Sequence, residues 1–460
     1  MAEIWSDGYL KVFFYLALCA FVTLGSFGVG LISGKNRNAL YDAVDYTVDA
    51  MRLMVMDRDN LIGLPGHFMQ PARQEGGGVT VNEVTDDDLI LVAGFFPDHP
   101  DYKQDLAIRL MERDGTILAH WPASFTELFP EADIDWTQPN PDWKFDIHGL
   151  LADPDGSIIF NFEYNGTAKF GRCGDVEWTL PRRTHHSIAR AEDGNFWVLD
   201  QRSFEPNSPD AFYPFALSRE IQQFREDLLL KVSPKGEVLE EHSLPKVFMQ
   251  SKDLEALLTV ANSLDPSGAR VELLHTNKID VLTPSIADAF PDFEAGDLLL
   301  SFRRLNTLMV LNPDTMTVKW FRTGPWLRQH DPEFKPDGKI SVFNNNSYSV
   351  VIGRNQRTNL DAPRTSEITE YDPKTDESVT VYGNRPGQEF LSVFRGDHQR
   401  LANGNTFVSE NEAGRLFEVD PEGRMVWQYI NRYDDQTELE MTDALVIPRD
   451  YFEVSDWSCG

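Results

Sequence analysis

The sequence reads as an all-β protein, a six-bladed β-propeller with an N-terminal single transmembrane helix and small helical insertions. Three observations lead there. From about residue 88, short β-type runs alternate with x-D-G and x-N-G turn signals, among them Asp155-Gly156, Asp193-Gly194, Asp337-Gly338 and Asn403-Gly404. The text around those turns repeats itself, as FDIHGLLADPDGSIIFNFE, HHSIARAEDGNFWVLDQ, RQHDPEFKPDGKISVFNNN and DHQRLANGNTFVSENE. A second recurring unit, as in KFGRCGDVEWTL, LLKVSPKGEVLEEH and LFEVDPEGRMVWQY, pairs with the first. Each repeat of a few tens of residues thus holds four short strands, the signature of a propeller blade. A β-sandwich whose hairpins resemble one another by chance is the competing reading.

The elements follow in chain order. Val12 to Ser33 carries no charge over about 22 residues, long enough to cross a bilayer as one helix. No small-residue cleavage site is clear, so residues 1–37 read as an uncleaved anchor. Lys11 precedes the span while Lys35 and Arg37 follow it; taken literally, the positive-inside rule keeps the main domain in the cytoplasm. Residues 38–87 form a linker. Its apolar positions between Ala39 and Met56 recur at helical spacing and predict an amphipathic helix, and Pro65, Pro71 and Gly76-Gly77-Gly78 predict a loop over 60–86. The propeller is expected over 88–435, with blades at 88–121, 145–181, 185–245, 275–324, 330–383 and 397–430, and a C-terminal segment at 436–460. Leu217–Leu230 and Leu254–Leu264 read as helical excursions around blade three.

Composition narrows the function. With 460 residues, 41% of them hydrophobic and 12% aromatic, the chain buries a large core and is no disordered acidic polymer. The net charge of −31 repels nucleic acid and anionic lipid, and any anion site has to be built locally against that field. The three cysteines, Cys19, Cys173 and Cys459, make neither a disulfide framework nor a zinc spacing. A Cys173–Cys459 bridge in an oxidising compartment, or a small buried Cys173 beside a loose Cys459, both fit.

The chemistry lies in the histidines. His148, His186 and His330 each stand eight residues before a turn glycine, at Gly156, Gly194 and Gly338, and therefore occupy one structural position in blades two, three and five. His275 opens blade four, and His398 opens blade six two residues off that register, on the same strand face. The first strand of each blade lines the central channel, so these imidazoles should meet at one end of it. Strand folding does not require this, and imidazoles that charge together repel. His185 must point away from His186. Only one of Arg303 and Arg304 can face the channel, and Asn277 shares a face with His275. Such a channel end suits an oxyanion; imidazoles on a β scaffold equally make zinc, copper or iron ligands. Few carboxylates join the set. Asp331 and Asp397 adjoin histidines and would point away from them, and Asp146 could share the channel face. That balance favours an anion over a metal.

The motifs His275-Thr276-Asn277, Ser301-Phe302-Arg303 with Leu305-Asn306-Thr307, Gln329 to Gly338 (QHDPEFKPDG), and QRLANGNT with GRLFEV later, resemble in this order the bacterial arylsulfotransferases. The resemblance spans about residues 88–430. It implies a six-bladed propeller exported to the periplasm, with no cofactor and no nucleotide donor. The reaction implied moves a sulfuryl group from a phenolic sulfate ester to a phenol through a sulfated histidine. Carried over by motif, His330 is the nucleophile and His275 the acid/base, while Asn277, Arg303 and His186 bind the sulfuryl oxygens. His148 and His398 have no role by motif and are grouped with the substrate-binding set. The chain departs from the pattern in the insertion at 281–297 and in the anchor that replaces a cleaved signal. A metal-dependent propeller enzyme and a non-catalytic tethered binding module are the alternatives.

Overall fold

A turn glycine every few tens of residues, flanked by apolar β-formers, builds four-stranded antiparallel sheets that pack face to face around a channel. The computed structural model describes residues 68–96, 105–131, 145–204, 208, 224–263, 271–347 and 365–459. Six such sheets occur among them, that of blade three extended by the short parallel strand Val271–Glu272. Blades two to five run outward in chain order, from innermost strands Ile147–Ala152, His185–Arg190, Thr276–Val281 and His330–Phe334. Blade six runs outward from Asp397–Arg400 to Met425–Ile430 and gains an outer fifth strand, Gly78–Asn82.

Blade one closes the ring. Its innermost strand is Met441–Ile447, from the far end of the chain, paired antiparallel with Leu89–Phe96. The expected C-terminal segment from 436 therefore holds a central strand. Its period is hard to see because a strand buried on both faces lacks clean alternation. A second departure lies in the expected loop over 60–86: Gly78–Asn82 pairs with Met425–Ile430, and Met69–Pro71 pairs with Thr437–Leu439. A third concerns the helical reading of Leu217–Leu230, where Phe224–Val232 is the third strand of blade three. Its run of three leucines, Leu228 to Leu230, is fully buried, and periodicity alone does not separate such a run from a helix. The expectation at 254–264 fares differently, since Lys252–Ser263 is helical.

The core lies between blades. Leu199, Leu229, Phe302 and Met309 join blades three and four, and Phe248 and Leu254 of the following helices cover them. The insertion at 281–297 contributes Phe290 and Phe293, which pack on Phe334 beside Trp326. Cys173 and Cys459 are bonded to each other, tying the chain end to blade two. The expected span at 12–33 and linker helix at 39–56 lie outside the described residues, among which no helix is long and apolar enough to cross a membrane.

Candidate active site

The innermost strands of blades two to five share a device that the alternation rule does not anticipate. Each is interrupted near its start by a bulge: between Ile147 and Leu150, His185 and Ile188, Thr276 and Lys278, and His330 and Glu333. A bulge adds a residue and re-aims the side chains around it. His186 (φ 54°) and His275 (φ 53°) sit in the left-handed region, which costs a non-glycine residue energy and marks sites where side-chain direction matters. Gly149 adopts φ 103°, and a Cβ there would stand 2.2 Å from the carbonyl oxygen of His186, so only glycine fits between blades two and three. Blade six pairs without a shift at its innermost strand.

Two cavities follow. The outer one, about 420 Å³, is lined by His148, His186, His275, His330 and Arg303, with Phe68 and Phe394 among the apolar walls. Ring centroids separate by 4.5 Å for His148–His186, 5.0 Å for His186–His275 and 6.5 Å for His186–His330. The inner cavity, about 40 Å³, shares His148, His186 and His330 but adds Asn277 and His398. The expected histidine cluster thus forms from four blades, and His398 of unbulged blade six stays on the inner side. There its Nδ1 lies 2.9 Å from Asp331, its Nε2 meets the Ser341 hydroxyl, and Asp331 also pairs with Lys278. Asn277 donates through Nδ2 to the Gln329 carbonyl (2.9 Å), bracing the residue before His330. His185 is buried beside the cluster, its Nδ1 2.9 Å from that of His186.

Arg303 occupies a single turn, Arg303–Leu305, after the second strand of blade four rather than the strand itself. Its guanidinium lies 5.3 Å from the Phe394 ring centroid, and its buried Nε has no hydrogen-bond partner among the described residues. Burial and the nearby Arg328 lower its proton affinity, to a pKa of about 10, so it remains a cation with a donor to offer an anion.

The partners of the histidines are what sequence reasoning missed. Glu163 bridges two of them, 3.2 Å from Nδ1 of both His148 and His186. Glu272 lies 2.9 Å from Nδ1 of His275 and also accepts from Gln201 (3.0 Å) and Tyr164 (3.4 Å). His330 instead contacts an amide, its Nδ1 2.7 Å from Oδ1 of Asn345. A signal for these residues existed. Glu163, Gln201, Arg303 and Asn345 each stand seven residues after a turn glycine, at Gly156, Gly194, Gly296 and Gly338. Glu163, Arg303 and Asn345 directly follow the second strands of their blades, and Gln201 holds the same position within the longer strand Phe196–Phe204. Asp146 does reach the outer cavity and pairs with Arg395, which also binds Glu440.

Electrostatics sorts the imidazoles. Burial, then Arg303 and the neighbouring imidazoles, hold the His330 pKa well below the usual value, so it is neutral at pH 7. Burial and the surrounding histidines do the same to His186. For His148, burial opposes the charge, but the Glu163 hydrogen bond and the carboxylates of Glu163, Asp397 and Asp443 outweigh it and raise the pKa. Glu272 stays ionised: burial works against it, while His275, Gln201 and Arg225 hold it well below the carboxylate range. The cavity therefore presents two buried imidazoles held neutral, His330 and His186, beside the carboxylate-backed His148 and His275 and the Arg303 cation. That combination serves nucleophilic attack on an electron-poor centre carrying anionic oxygens. His148, Glu163 and His186 also offer ligand atoms within 4.8 Å of one another, a set of types that transition metals accept.

A model of the arylsulfotransferase (ASST) family matches residues 150–432. No curated protein matches the chain. Among solved structures, a protein of unknown function from Bacteroides caccae is 14% identical, covering 79% of this chain and 99% of its own, with a TM-score of 0.46. A catalytically inactive virginiamycin B lyase from Staphylococcus aureus, solved with quinupristin, is 10% identical, covering 78% and 87%, at 0.39. TolB from Acinetobacter baumannii is 10% identical, covering 79% and 67%, at 0.42.

Proposed function

Because the chain belongs to the arylsulfotransferase (ASST) family, we propose that it transfers a sulfuryl group from a phenolic sulfate ester to a phenol, through a sulfated His330. The observation that carries this reading is the outer cavity itself, where a neutral His330 faces Arg303, His186 and the Glu272-backed His275 across one space.

Nε2 of His330 attacks sulfur; the aryl O–S bond breaks as the N–S bond forms. The departing phenolate takes the Nε2 proton of His275, whose imidazolium Glu272 supports, and leaves as phenol. Sulfuryl transfer passes through a loose anionic state, as phosphoryl transfer does, and positioned donors stabilise it. Arg303 supplies that charge, with His186 and His148 beside it. An acceptor phenol then returns its proton to His275 while its oxygen attacks sulfur and the N–S bond breaks. Asn277 acts behind this set, through the backbone before His330. His398 lies behind it too and holds blades five and six together through Asp331 and Ser341. Phe68 and Phe394 give the aryl ring an apolar wall.

The propeller works outside the cytoplasm, tethered by Val12–Ser33. The Cys173–Cys459 bridge supports this placement, because disulfides persist in oxidising compartments. A reporter active only in the periplasm, fused to the C-terminus, tests it; a silent fusion with an active cytoplasmic counterpart contradicts it.

The transfer reading is tested by mixing the full chain with p-nitrophenyl sulfate and a phenol acceptor. Acceptor-dependent nitrophenol release that survives a chelator is expected. The ligand set of His148, Glu163 and His186 favours one second reading, a metal-dependent enzyme. Activity abolished by chelator and restored by metal would select it.

A further inference from the structure

Five histidines reach the channel, and their Nδ1 partners divide them. Four contact carboxylates: His148 and His186 share Glu163, His275 has Glu272, and His398 has Asp331. His330 contacts the amide of Asn345. The orientation of that amide is set by its other end. Its Nδ2 donates to the carbonyls of Ser392 (2.9 Å) and Arg395 (2.7 Å), both acceptors only, so Oδ1 faces His330. An amide oxygen accepts and cannot take a proton. Nδ1 of His330 therefore carries the hydrogen, and Nε2 keeps its lone pair for the cavity. Both groups are buried, and Asn345 has no exposed surface, so water does not compete for the bond.

We propose that Asn345 is the positioning residue that makes His330 the transferring histidine, by keeping the Nδ1 proton on the ring throughout the cycle. The inference rests on the transferase reading above and deepens it. Before transfer, the amide fixes the tautomer whose free nitrogen attacks sulfur. After transfer, Nε2 bears the sulfuryl group and the ring is formally cationic. A carboxylate at Nδ1 would draw off the proton and leave an N-sulfonate whose leaving group is an imidazolate. With an amide the proton stays, the N–S bond breaks to release neutral imidazole, and the sulfuryl group remains transferable. His148, His275 and His398 are arranged for the opposite duty, since a carboxylate at Nδ1 favours a charged ring and suits proton transfer or anion binding, while His186 shares Glu163 with His148 and is held neutral by burial and its imidazole neighbours. The repeat itself provides the contrast: Glu163 in blade two and Asn345 in blade five hold the same position, seven residues after the turn glycine.

The test separates making the sulfated enzyme from consuming it. Full-length wild type and Asn345→Asp are treated with p-nitrophenyl sulfate alone, desalted, and mixed with phenol, and loss of the adduct is timed by intact mass. Transfer from the Asn345→Asp adduct should be slower by at least about tenfold, because a charge-assisted hydrogen bond is roughly twice as strong as a neutral one. Equal transfer rates from the two adducts would overturn the proposal. Asn345→Asp also gives up two donors to backbone carbonyls and has a route to misfolding that says nothing of chemistry. A second measurement therefore uses wild type: nitrogen-15 NMR of labelled histidine at pH 7, with His330 assigned by its loss in His330→Asn. A ring protonated on Nδ1 and bare on Nε2 is expected, and the opposite tautomer refutes the role of Asn345. Absence of any adduct on wild type would instead sink the transferase reading, and the tautomer still reports on Asn345.

Discussion

Changing Glu272 to Gln removes a charge behind His275 with little change of shape, and its consequence should depend on the phenol being expelled. The carboxylate lies 2.9 Å from Nδ1 of His275 and keeps its orientation through Gln201 and Tyr164. A glutamine can preserve a neutral hydrogen bond there. A bond to a charged partner contributes about 1.5–3 kcal/mol and a neutral one about 0.5–1.5 kcal/mol, so the imidazolium loses roughly 1–1.5 kcal/mol of support. At about 1.4 kcal/mol per factor of ten, that is about 5–15-fold in any step needing the His275 proton. Nitrophenolate leaves without a proton; an electron-rich phenolate does not. Rapid mixing of the full chain with p-nitrophenyl sulfate or 4-methoxyphenyl sulfate, following the first phenol released, measures this directly. The nitrophenol burst should change less than about twofold, while the methoxyphenol burst slows about 5–15-fold. Equal slowing of both would show that Glu272 only supports the local fold, and the assignment of His275 as proton donor would fall with it.

Other outcomes follow from the same geometry. Burial and Arg303 hold His330 neutral well below the usual imidazole pKa of 6.5, so the nitrophenol burst should fall less than about threefold between pH 7 and pH 5.5; an ordinary imidazole would lose about tenfold. A titration centred near 6.5 would contradict this. Arg303→Met should lower kcat/KM by about 10²–10³-fold, since it removes the buried guanidinium aimed at the anion, with the melting temperature as control. Cys459→Ser should cost about 2–4 kcal/mol in denaturant unfolding, because the bridge constrains a long stretch of the unfolded chain, and should leave the burst rate unchanged.

The blades are legible in the sequence because each turn glycine is local and repeats: Gly156, Gly194 and Gly338 fix both the hairpins and the histidines eight residues before them. The closing strand Met441–Ile447 is not, because it pairs with Leu89–Phe96 across nearly the whole chain and lacks a hairpin partner next to it. The strand Phe224–Val232 was misread as helix, because its leucines are buried on both faces and show no period of two. Within the site, strict alternation failed at the bulges. It predicts that His185 points away from His186, yet their Nδ1 atoms lie 2.9 Å apart at the bulge. The expectation of few carboxylates failed for a different reason. Glu163 and Glu272 reach the imidazoles from outside the innermost strands, where comparing first strands alone does not look. Comparing the ends of the second strands would have found Glu163 and Asn345 together.

The central claim is that a sulfuryl group resides on His330 during turnover. The most direct measurement mixes the full chain with p-nitrophenyl sulfate alone, quenches under alkaline conditions, digests, and maps the adduct by peptide mass spectrometry. One added sulfuryl group is predicted, on the peptide containing His330, absent from His330→Asn and lost when phenol is added before the quench. An adduct on His148, His186, His275 or His398, or steady acceptor-dependent turnover with no adduct on any histidine, would contradict the account.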